Sequence, residues 1–150
     1  MIDNQEKGKL LRMARLVATV YLLSTGVFAV LAFTLPQHID QTELYEHSII
    51  NMLTLILGLM AFISIFLGFV LPARIIRASK QISTPGQKFF ISTVLGCALF
   101  ETPAICGLVL AFIGAALPLS LGFIIASAGF MLYTFPTEEK ISHFLSNIPK

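Results

Sequence analysis

Charge is what this sequence has least of. Acidic and basic residues make up 12% of its 150 positions, against 56% that are hydrophobic. A soluble domain carries about twice that charge. The shortage excludes an ordinary soluble globular domain. No basic run, basic helix face or aromatic ladder occurs, so the net charge of +2 does not point to nucleic acid. No CxxC pair and no Cys/His cluster occurs either. Cys97 and Cys106 lie nine positions apart in one apolar block. On a helix that is about half a turn out of phase and more than two turns along the axis, which rules against a disulfide. Phosphate-binding loops, zinc spacings and a nucleophile with a credible base are all missing. An intramembrane protease needs Ser/His or paired Asp inside the bilayer, and neither is there. The expectation is a protein that is not an enzyme and uses no cofactor or metal. Tryptophan is absent, and the thirteen phenylalanines read as lipid contact and core.

What is there is four apolar blocks, at 16–35, 49–71, 89–112 and 117–135. Each has about 19 to 24 residues, which at 1.5 Å per residue suits a hydrocarbon core of roughly 30 Å. Barrel strands are about half as long and alternate in polarity, so a barrel is excluded. The fold class expected is all-α: an integral membrane four-helix bundle, one transmembrane domain over 1–150.

The polar links carry a sign pattern. Lys7, Lys9, Arg12 and Arg15 precede the first block, and the next link has Asp40, Glu43 and Glu46 with no Lys or Arg. Arg74, Arg77, Lys80 and Lys88 fill the middle link without an acid. The positive-inside rule puts both termini and the middle link in the cytoplasm of a bacterial-type inner membrane. A signal peptide is the alternative for the first block. Its length and the lack of a clean Ala-x-Ala site argue against cleavage.

Residues 73–81 read as a helical extension, and Pro85-Gly86 as a turn before span three. Arg74 and Arg77 read as topology anchors or lipid-headgroup contacts. The tail from Pro136 offers Ile141, Phe144, Leu145 and Ile148 as one face of an interfacial helix, or of a docking peptide. His38, Asp40, Glu43, Glu46 and His47 are too unspecific for a metal site and read as a solvated connector.

Helices in lipid associate through small residues. Gly122, Ala126 and Gly129 in span four offer such a face. Gly107, Ala111 and Ala115 offer one in span three, and Ala14 and Ala18 another near span one.

One acid breaks the pattern. Glu101 stands in "GCALFETPAICGLVLAF", twelve residues beyond Phe89 and so about 18 Å into its helix. An unpaired charge at that depth costs at least a few kcal/mol, and apolar surroundings favour the neutral acid. No other charged residue lies deep in any span. Neutral partners available are Thr93, Thr102, Ser64, Ser24, Thr25, Tyr21, Ser120 and Ser127. Pro103 has no amide hydrogen and leaves the Leu99 carbonyl without its usual donor.

Glu101, Ala104, Ile105, Gly107, Leu108 and Val109 resemble the carboxylate helix of the rotor-ring proteolipid, the c subunit of rotary ATP synthases. The likeness is strongest over about fifteen residues and weaker over Ile49 to Ala115. It implies a reversibly protonated or sodium-binding carboxyl at Glu101, with Thr102 and Pro103 beside it. The family's glycine-rich first helix is not repeated, since span two has only Gly58 and Gly68. Small four-span bacterial membrane proteins with a Glu-x-Pro-x-x-x-Gly span resemble the chain more closely. Two functions follow as expectations. In one, Glu101 exchanges a proton or cation within a homo-oligomer or with other membrane subunits. In the other, the chain is a non-catalytic structural or assembly subunit, and Glu101 is a helix-packing contact. Either way the partners are the lipid bilayer and other membrane chains.

Overall fold

The structure is a computed structural model that describes residues 4–34, 47–78 and 84–146. It contains α1 (Asn4–Thr34), α2 (His47–Ala78), α3 (Pro85–Phe112), α4 (Leu117–Thr134) and α5 (Glu138–Ser146). No strand occurs among the described residues. The first four helices are long and apolar enough to cross a membrane.

Helices run past the apolar blocks because helix propensity does not need hydrophobicity. α1 starts at Asn4, twelve residues before its block, through good helix formers such as Glu6, Lys7 and Lys9. α2 continues through Pro72 to Ala78, taking in the first part of the expected extension. Pro85-Gly86 is not a turn outside the helix. Thr84 caps α3 by accepting from Gln87 N–H at 3.4 Å, and Pro85 opens the first turn, where its missing N–H is no loss. Gly86 is buried because Leu10 of α1 crosses over it.

A four-residue link, Ile113–Ala116, joins α3 to α4. Gly114 takes φ 82°, the left-handed conformation that ends a helix, and its N–H reaches Ala111 O at 3.3 Å. The two helices then run antiparallel at close range. A Cβ on Gly107 would stand 2.5 Å from Ser120 O. α2 is also antiparallel to α3. Gly68 lies on the Phe100 ring, and Phe69 meets Phe100 and Phe130 edge-on at 5.0 and 5.7 Å. α1 runs parallel to α3, with Leu10 at Gly86 and Ala32 clustered with Ala104 and Ala111. The α3 span is 50% buried, against 17%, 17% and 22% for the others. The helix that carries Glu101 is therefore the central one.

α5 lies at the end where α1 and α3 begin. Ile141 is buried among Leu11, Ala14 and Phe89, and Phe144 meets Phe89 at 5.4 Å. The tail thus turns Ile141 and Phe144 onto its own chain, not outward to an interface. The side chains of Leu145 and Ile148 lie outside the described residues.

Span four shows a reversal of the expected faces. α4 buries Ser120, Ile124, Ser127 and Met131. Gly122, Ala126 and Gly129 are exposed, and a Cβ on either glycine would meet nothing within 4 Å. Among the described residues they pack against no other helix. Gly107 and Ala111, by contrast, are buried at the contact with α4.

Candidate functional site: the mid-span carboxyl

Glu101 is half-buried on the face of α3 turned to α1. Ser24 Oγ of α1 donates a hydrogen bond to Glu101 Oε1. It also stands 3.1 Å from the Tyr21 carbonyl of its own helix. A serine hydroxyl has one proton and two lone pairs. It can therefore donate to a carboxylate. It can equally accept from a protonated Glu101 while donating to Tyr21 O. Both protonation states of Glu101 keep a hydrogen bond without any helix moving. Among the described residues no basic side chain pairs with Glu101.

Four other candidate hydroxyls return to their own helices. Thr93 donates to Phe89 O at 3.0 Å, Ser64 to Ala61 O at 2.9 Å, Thr25 to Tyr21 O at 3.0 Å and Thr102 to Ala98 O at 3.5 Å. Thr102 is thus not joined to Glu101. Pro103 is fully buried. Beside the proline, Ser127 Oγ of α4 donates to Phe100 O at 2.5 Å. Its acceptor is the carbonyl next to that of Leu99, the one Pro103 leaves without its helical donor. The Ser120 hydroxyl is buried without a partner among the described residues.

Cys97 lies one turn below Glu101, buried and within electrostatic reach of it. Its relation to Glu101 was legible as a spacing of four. Among the described residues no three His, Cys, Asp or Glu side chains gather. The Arg77 side chain and the connector acids and histidines lie outside the described residues. Arg74 is exposed on α2 past Pro72.

No known protein family, curated protein or solved structure matches this chain.

At the α5 end, polar contacts tie the elements together. Arg15 Nε donates to Pro136 O at 3.3 Å, and Arg15 stands 3.9 Å from Glu138. Lys7 Nζ donates to Ser142 at 3.0 Å. Lys140 Nζ donates to Tyr133 O in the last turn of α4 at 2.5 Å and to the capping Phe135 O at 3.2 Å. A cation there complements the helix dipole. Sequence reasoning missed this role for Lys140, because it depends on the sharp turn between α4 and α5.

Proposed function

We propose that the chain is a small subunit of a bacterial inner membrane in which Glu101 takes up and releases a proton or small cation. The observation that carries this reading is the Ser24 hydroxyl shared between Glu101 Oε1 and Tyr21 O. The Ser24 hydroxyl can partner Glu101 in either protonation state. One acid with no second relay group does not make a complete conduction path. The reading therefore includes an oligomer or a larger complex. The outward Gly122, Ala126 and Gly129 support it, since small residues admit another helix closely. The start of α1 and the α5 tail share one end with much of the basic charge, which supports both termini being cytoplasmic.

The second reading is a structural subunit in which Glu101 is a packing contact. The Ser24–Glu101 bond favours it too, because that bond joins two helices of one chain. Carbodiimide labelling across pH, in the full chain and in Glu101→Gln, separates the two. A titrating site labels at Glu101, with labelling that falls as pH rises or that sodium blocks. No labelling at any pH, with Glu101→Gln assembling normally, defeats the ion-exchange reading.

A further inference from the structure

The seam between α1 and α3 differs at its two ends. On α3, Phe89, Thr93, Cys97 and Glu101 follow at steps of four and so share a face. Ser24 marks where α1 meets that face. Between Glu101 and the α5 end, that face of α3 carries Cys97, which is buried, and Thr93, whose hydroxyl donates to Phe89 O. Beyond Glu101 the seam is closed by apolar side chains. Ala32, Ala104, Ala111 and Ile124 are buried together there, with Phe28 and Leu108 packed on them. A proton or small ion reaching Glu101 along this seam has its more polar approach from the α5 end.

That end is plugged as well, by a second and separate cluster. Leu11, Ala14 and Phe89 come from the long helices, and Ile141 from α5, with Phe144 against them. α5 has nine residues, too few to be a stable helix by itself. Its polar ties to α1, Lys7 to Ser142 and Arg15 to Glu138, are exposed, and Lys140 ties it only to the preceding turn. Exposed pairs of this kind hold weakly and are screened by salt. The plug thus joins residues of two long helices to Ile141 and Phe144 of the short α5.

We infer that α5 is a lid over the α1–α3 seam, and that lifting it opens the approach to Cys97 and Glu101 from that end. The inference deepens the proposed role of Glu101 and rests on it for its purpose. Its geometry is tested separately through Cys97.

The test uses the full chain in sealed vesicles, with Cys106→Ser leaving Cys97 as the sole thiol. A second chain, Cys97→Ser, keeps Cys106, which is also buried. Each is labelled with a small charged thiosulfonate from either side. Lid variants are Ile141→Asp, which unseats the plug, and Arg15→Ala, which removes the contacts to Glu138 and Pro136 O and leaves the plug residues in place. Expected is at least a tenfold faster reaction of Cys97 from the α5 side in Ile141→Asp. A smaller rise is expected in Arg15→Ala, with Cys106 unchanged in both. An unchanged Cys97 rate overturns the inference. So does a matched rise at Cys106, which would make α5 a brace for the whole bundle. If Cys97 opens but carbodiimide never labels Glu101, the lid stands and the ion-exchange reading falls.

Discussion

Ser24 of α1 and Glu101 of α3 are 77 positions apart, and the hydroxyl of one donates to the carboxyl of the other. Two parallel helices are thereby joined by a polar contact partway along their length. Hydrogen bonds between membrane helices contribute about 0.6 kcal/mol on average and up to about 1.7. A double-mutant cycle with Ser24→Ala and Glu101→Gln, read by unfolding in mild detergent, should therefore give a coupling of about 1 kcal/mol. Additive effects would mean that the contact does not fasten the helices.

Ser127→Ala tests the support beside the proline. The Phe100 carbonyl then loses its α4 donor in a buried, apolar place. That carbonyl stays in the α3 helical ladder, so the cost is that of one added hydrogen bond, about 0.5–1.5 kcal/mol. The loss should be smaller in Ser127→Thr, which keeps a hydroxyl. Thermal unfolding of the two variants, compared side by side, reads the difference.

Two glycines give opposite expectations. Gly107→Ala forces a methyl against the Ser120 carbonyl, a backbone atom that cannot yield as a side-chain tip can. Overpacking of that kind costs about 1–3 kcal/mol. Gly122→Ala meets nothing within 4 Å among the described residues and should stabilise the helix by about 0.5–1 kcal/mol. Bulkier changes at Gly122 and Gly129 should leave the monomer folded. A lower oligomer mass in native measurements would then tie the outward face of α4 to self-association.

The four long helices were legible because each contains an apolar run long enough to cross a membrane. The path of α1 below residue 16 was not, because a search for apolar runs stops where charge begins. The orientation of α4 was hidden for a different reason. In a soluble helix the buried face is the apolar one, but here serines are buried and Ile125 and Leu132 face outward. Hydrophobicity cannot pick a face when lipid is as apolar as the core. Ser24 had the same standing as seven other polar residues in the sequence. Only the rotation of α1 about its axis, set by the packing of Ala14, Ala18 and Ala32, brings it to Glu101.

Lys140→Met tests the junction that holds α5 in place. The ammonium satisfies two carbonyls at the end of α4 and lies over the Tyr133 ring at 5.7 Å. Removing it leaves those carbonyls to water and takes a favourable charge from the helix C-terminus, an effect of about 0.3–1 kcal/mol. The loss is local, because Lys140 is exposed and Ile141 still fills the plug. Hydrogen exchange should therefore quicken several-fold in the last turn of α4 and in α5, and stay unchanged around Glu101. Lys140→Arg should restore most of the protection, since a guanidinium also reaches two carbonyls. Faster exchange spread evenly through α3 would instead show that the α4–α5 junction braces the central helix.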